Sequence, residues 1–179
     1  HANALECIPT LPSNSASTKM LVLEAAKAVS TVETTLATIL AQMTEFAKSL
    51  PEFSVIREMP GVGDVLAPRI IAEIGDVRRF HSASALIAYA GIDTPPYESG
   101  DFRASNRKIT KRGSASLRKT GYEIMQALKV VQPQNDNAVY QYLIKKENEG
   151  KPLKVAKIAA LNKFLRIYYS RVKEIYLNS

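Results

Sequence analysis

The chain has 179 residues, 46% of them hydrophobic, enough for one good-sized domain or a smaller domain with a helical appendage. A formal net charge of +7 and a pI of about 9.5 favour an anionic partner. Nucleic acid fits better than membrane, because no apolar run approaches the ~20 residues needed to span a bilayer. The single Cys7 excludes an internal disulfide framework and a four-cysteine zinc site, and two histidines argue against a His-rich metal site. With no signal-peptide pattern, the expected location is the cytoplasm.

The opening HANALECIPTLPSNSAS lacks periodicity and is rich in Ser and Pro, so residues 1–17 are expected to be a linker or remnant of a longer protein. Residues 18–50 then predict one long helix, capped by Ser17 or Thr18 and ended by Pro51. Val22, Ala25, Val29, Val32, Leu36, Ile39, Met43, Phe46 and Leu50 are spaced alternately three and four apart. That is the seam of a coiled coil, and it predicts a homo-oligomer through this helix; packing on its own domain gives nearly the same pattern.

Residues 51–179 are expected to form a helical domain. Within 52–75, a short helix leads to Met59-Pro60-Gly61-Val62-Gly63 and a second helix starts at Asp64, the order of a helix-hairpin-helix. Gly61 and Gly63 let the chain turn tightly and expose successive N–H groups at a helix start, a site for phosphate that reads no sequence. Pro68 departs from a simple second helix, and an ordinary helical hairpin is the competing reading. Ser82 caps a helix through Ala90 that Gly91 stops. A loop from Ile92 to Ser105 follows, and then residues 106–113, either extended or irregular.

Further helices are predicted from Ser114 to Val131, from Ala138 to Glu149 behind a cap at Asn135 to Asn137, and from Pro152 to Tyr176. The last buries Ala156, Ile158, Ala159, Leu161, Leu165, Ile167, Tyr168 and Tyr169. The fold class is therefore all-α, a long coiled-coil-like helix followed by a helical domain.

Two stretches carry basic residues without an acid between them. The first holds Arg103, Arg107, Lys108, Lys111, Arg112, Arg118 and Lys119; the second runs from Lys151 to Lys173. A charged face is usually only solvated, but two such stretches point to one extended anionic ligand, with DNA the expected partner. Just before the first lies Ser99-Gly100, a hydroxyl in a turn-rich segment.

Taken together, MPGVGDVLAPRIIAEIGDVRRF, ALIAYAGIDTPPYESG, ITKRGSASLRK and KVAKIAALNKFLRIYY resemble the C-terminal domain of insertion-sequence transposases related to the Piv DNA invertase, also known as bridge-RNA-guided recombinases. The resemblance covers roughly residues 18–173. It implies a transposase or site-specific recombinase whose RuvC-like N-terminal domain binds magnesium through acidic residues, while this domain supplies a serine nucleophile at the position of Ser99. The serine would form a phosphoserine link to DNA, later resolved by a strand's free hydroxyl. Some members use a guide RNA, which leaves RNA open as a second partner. No cofactor is expected in this chain itself.

From the residues alone, Ser99 between Pro96 and Gly100 reads as a turn serine, and it is the resemblance that assigns it chemistry; Ser105 and then Tyr97 are the alternatives. No His lies near Ser99 in sequence, so a self-contained Ser–His triad is not expected. The competing functions are a non-catalytic helix-hairpin-helix DNA-binding module and a coiled-coil interaction protein whose charge is incidental.

Overall fold

The structure, a computed structural model, describes residues 15–94, 108–134 and 137–178, and the backbone of 98–99 and 102–103. The described chain is all-α, as the pattern predicts: seven α-helices, one 3-10 turn at Val77–Arg79 and one two-residue β-ladder. It divides into two units between Met43 and Thr44.

Helix α1 spans Ala16–Lys48. Its cap is Ser15, whose Oγ accepts from the Thr18 N–H at 3.1 Å, rather than the predicted Ser17 or Thr18. Nothing at Ala16 or Ser17 breaks a helix, so the nucleus extends back to the first hydroxyl able to cap it. In its middle, Thr31, Thr34, Thr35 and Thr38 donate their hydroxyls to carbonyls four residues earlier, which satisfies them without a partner element. The predicted seam residues Val29, Val32, Leu36 and Ile39 are 48–65% exposed.

The second unit starts with the last turn of α1, where Ala47 is buried. Pro51, predicted to end the first helix, instead opens α2 (Pro51–Glu58) at a position where its missing N–H has no partner to lose. After the glycine turn, α3 covers Leu66–Ile74, two residues later than predicted, because Asp64 and Val65 still belong to the turn. Pro68 is only its third residue, within the first turn, where amides lack intrahelical acceptors anyway, so it neither bends nor breaks the helix.

The 3-10 turn follows, capped by Asp76, whose carboxylate accepts from the Arg78 N–H at 2.8 Å and pairs with the Arg78 guanidinium. Helix α4 (Ala83–Tyr89) has the predicted Ser82 cap, with Oγ accepting from the Ala85 N–H. Helices α5 (Ala115–Val131), α6 (Ala138–Asn148) and α7 (Leu153–Asn178) complete the unit, each within three residues of its predicted bounds. Of the residues predicted to cap α6, Asn137 does so, while Asn135 lies outside the described residues.

Helix α7 is the centre of the unit, packing against α2, α4, α5, α6 and the 3-10 turn. Its buried side is Ala156, Ala160, Leu161, Phe164, Leu165, Tyr168, Tyr169 and Val172, while the predicted Ile158 and Ile167 are only partly buried. Gly121 of α5 lets the Leu161 side chain come so close that a Cβ there would lie 2.5 Å from its Cδ1. The Tyr169 hydroxyl donates to the Phe80 carbonyl at 2.9 Å, tying α7 to the end of the 3-10 turn.

One buried carboxylate stands out. Glu52, in the first turn of α2, is 4% exposed and accepts a hydrogen bond from the Tyr176 hydroxyl. Its second oxygen and the Tyr168 hydroxyl are buried with no hydrogen-bond partner among the described residues. The positive end of α2 is the support for the charge there.

Candidate nucleic-acid interface

The interface is built on the excursion that leaves α4 at Gly91 and returns to α5 at Ser114. Its base is held by backbone: the Lys111 N–H donates to the Gly91 carbonyl and the Thr110 N–H to the Asp93 carbonyl, both at 3.0 Å. The Thr110 hydroxyl adds a 2.5 Å bond to the Asp93 carboxylate. The Ser114 N–H donates to the Tyr89 carbonyl at 2.6 Å. So of the two readings open for residues 106–113, pairing or irregular, pairing holds at Thr110 and Lys111, which run antiparallel to Gly91–Asp93.

Two glycines permit the crossing. Gly91 has φ +65, and a Cβ on it would lie 2.7 Å from the Gly113 nitrogen. A Cβ on Gly113 would lie 2.0 Å from the Tyr89 carbonyl oxygen.

Further out, β1 (Glu98–Ser99) pairs antiparallel with β2 (Phe102–Arg103), with Glu98 opposite Arg103 and Ser99 opposite Phe102. This places the Ser99 and Arg103 backbones on facing strands. It corrects the expectation of a plain loop from Ile92 to Ser105: two residues per strand are too few for alternation to reveal them. Tyr97, Ser105 and Arg107 lie outside the described residues.

Against the base of the excursion lies the first half of α7, and between them is a groove of about 800 Å³. One wall carries Lys108 and Lys111, the other Lys154, Lys163 and Arg166. On α7, Lys154, Ile158, Asn162 and Arg166 are successive i, i+4 positions, so one stripe of the helix faces the groove. The floor is apolar, from Ile92, Ile109, Val155, Ile158 and Ala159, and Tyr142 of α6 closes one side. Among the described residues no Asp or Glu lines it. Five cations without a lining acid repel one another, and a polyanion relieves that repulsion as it displaces counterions.

The two basic stretches therefore meet, but not all of their members do. Arg112 is exposed and does not line the groove. Arg118 donates from Nη1 to the Ala90 carbonyl at 3.0 Å and thereby closes the C-terminal end of α4. Lys157 lies over the Tyr122 ring and Lys173 over the Tyr169 ring, at 5.3 and 5.4 Å. In the groove, Lys163 sits 5.1 Å over the Tyr142 ring, and Arg166 donates from Nε to the Asn162 side chain at 3.0 Å.

The glycine turn is a separate feature. Gly61, φ +87, packs against α5, where a Cβ would lie 2.9 Å from the Ile124 carbonyl oxygen and the Leu128 nitrogen. Its immediate role is close approach. Gly63 has nothing within 4 Å of a Cβ and is exposed, so its backbone is open to a ligand. Arg57 holds the turn, donating to the Val62 carbonyl at 2.6 Å and pairing with Asp64 at 3.1 Å.

Among the described residues no group of three or more His, Cys, Asp or Glu could hold a metal ion. No helix among the described residues is long and apolar enough to cross a membrane.

A helical unit with a basic groove can be set beside known proteins. Residues 54–141, from inside α2 to the start of α6, match the model of the Transposase IS116/IS110/IS902 family. The chain is 29% identical over 121 residues to the pilin gene-inverting protein of Moraxella bovis, covering 68% of this chain and 37% of that protein. It is 30% identical over 77 residues to the transposase for insertion sequence element IS1111A of Coxiella burnetii, covering 43% of this chain and 21% of that protein. The insertion element IS116 protein of Streptomyces clavuligerus is 33% identical over 97 residues, 54% of this chain and 23% of that protein. The chain thus spans little more than a third, or less, of the length of these curated relatives. The family match takes in the excursion wall of the groove, with Lys108 and Lys111, and stops before the α7 wall.

Proposed function

We propose that this chain is the DNA-binding, serine-bearing part of a DNA transposase or site-specific recombinase acting in the cytoplasm. The observation that carries the reading is the groove, where two basic stretches far apart in sequence converge and, among the described residues, no acid lines it. Lys108, Lys111, Lys154, Lys163 and Arg166 hold phosphates there. Gly63, at the exposed turn of a helix-hairpin-helix, offers a second backbone contact.

Homology to insertion-sequence transposases and to a gene-inverting protein supports strand cleavage and rejoining as the reaction. Ser99 is the nucleophile: its Oγ–phosphorus bond forms as the phosphorus–oxygen bond to the leaving deoxyribose breaks. The proton lost by the serine is matched by the one gained by the leaving hydroxyl, and a free hydroxyl of the partner strand reverses the step. Arg103, Arg107 and Arg112 are the cations proposed to offset charge at the reacting phosphate. An acidic domain beyond this chain would hold magnesium and supply the activation that Ser99 lacks here, and α1 brings copies together through its exposed seam. A guide RNA is a second ligand of the same charge.

The test is a covalent-adduct assay on the full-length protein with magnesium and labelled DNA carrying the element's ends. Wild type is expected to give a protein–DNA band on a denaturing gel, and Ser99→Ala to bind DNA without giving it. Persistence of the band in Ser99→Ala would reduce Ser99 to a turn residue and pass the role to Ser105 or Tyr97. Binding with no band in either protein would favour the non-catalytic module.

A further inference from the structure

Resting on the reading of the groove as a nucleic-acid site, we infer that it takes an unpaired nucleotide, with the phosphate on the lysine rim and the base on the apolar floor. A duplex turns mostly phosphates and sugars to a protein and shows only base edges in its grooves, which gain little from a floor of Ile109, Val155 and Ile158. A base turned out of its stack presents an apolar face that does. The groove, about 800 Å³, lies within the ~300–1,000 Å³ range of sites that enclose small ligands, larger than a backbone-tracking surface requires.

Two side chains add to this. Tyr142 is half-buried at the side of the groove, with the Lys163 ammonium over its ring. A base that stacks on Tyr142 displaces that ammonium, a favourable exchange because base–aromatic stacking is the stronger contact and the released Lys163 is free for the accompanying phosphate. Asn162 accepts from Arg166 through Oδ1, which fixes its amide plane. Its Nδ2 has no partner among the described residues and is available to an acceptor on a base edge. Charge draws in any nucleic acid, whereas the floor, the tyrosine and the amide select one with an unpaired base.

The experiment compares an intact duplex with the same duplex carrying one bulged 2-aminopurine, added to the full chain. The bulged probe is expected to bind at least tenfold tighter, with its fluorescence quenched on binding. Tyr142→Ala should lose the preference and the quench, and Tyr142→Phe, which keeps the stacking ring, should retain both. A deoxyribose and a ribose version of the bulge distinguish a displaced DNA strand from an RNA strand as the source. Equal affinity for bulged and intact duplex, with unchanged fluorescence, would overturn the inference while leaving DNA binding in place. Failure to bind either probe would overturn the DNA-binding reading itself, and this inference with it.

Discussion

Gly113→Ala tests the seam on which the groove wall depends. A methyl group there would sit 2.0 Å from the Tyr89 carbonyl oxygen, 2.5 Å from its carbonyl carbon and 2.7 Å from the Ala88 oxygen, where ordinary contact is 3.4–4 Å. All three atoms are backbone at the end of α4, so no rotamer change relieves the overlap. The returning segment must move away, and that breaks the Ser114 N–H bond to Tyr89 and loosens Arg118 from Ala90. Overpacking costs about 1–3 kcal/mol and a lost backbone bond about 0.5–1.5, against a gain of about 0.4–1 from stiffening the unfolded chain. The expected net loss is on the order of 2–3 kcal/mol, read as a lower urea midpoint in circular dichroism. Gly63→Ala is the reference: with nothing within 4 Å, it should stay within about 0.5 kcal/mol of wild type. A Gly113→Ala protein as stable as Gly63→Ala would refute the reasoning.

Removing one groove cation, as in Lys154→Ala, should weaken binding to any DNA sequence and lower the slope of log affinity against log salt by about 0.9 per lost phosphate contact; an unchanged slope would place Lys154 away from the DNA. Lys111→Gly should do the same while stability rises by roughly 1 kcal/mol, since its left-handed φ of 57 suits glycine; urea unfolding checks this. Burial and the bond to Glu52 push the Tyr176 hydroxyl up to about 12 from its ordinary 10, so the folded chain holds that proton where the unfolded one releases it. Stability from this group is full below pH 10 and falls as pH rises toward 12; Tyr168, also pushed up by burial, acts in the same direction, and Tyr176→Phe should flatten the decline in unfolding measurements across that window. If the exposed seam of α1 joins copies, the double variant Val32→Asp, Leu36→Asp should sediment as a monomer at concentrations where wild type associates.

The helices were legible because their stop and start signals agree with their periodicity: Ser82, Ser114 and Asn137 each accept from an amide of the first turn. Local signals misled where two readings share a residue, as at Pro51, since proline ends one helix as readily as it begins the next. The pairing at Glu98–Arg103 could not be read, because two residues per strand leave no alternation to recognise. In the site, the two basic stretches were visible as charge, but charge alone does not sort Lys108 and Lys111, which line the groove, from Arg118, which closes α4. The i, i+4 row from Lys154 to Arg166 carried a readable signal that would have picked out Asn162. Tyr142 and the buried Glu52 had none, because each is defined by what α7 brings to it.

Lys111 shows where fold and function pull apart. Its φ of 57 places an L-residue in the left-handed region, at a cost of roughly 1–2 kcal/mol that glycine would not incur. The conformation is held from both sides, by its own N–H on the Gly91 carbonyl and by the Ser114 N–H on the Tyr89 carbonyl. Stability alone would favour Gly at such a position, and the same few residues already use glycine at Gly91 and Gly113 where space demands it. A lysine kept there at a conformational cost, with its side chain lining a groove of like charges that raises the electrostatic cost further, has no rationale in folding. The electrostatic cost turns favourable once an anion occupies the groove, because the ammonium then faces a phosphate, and the backbone that carries it is already fixed and has no ordering entropy left to lose.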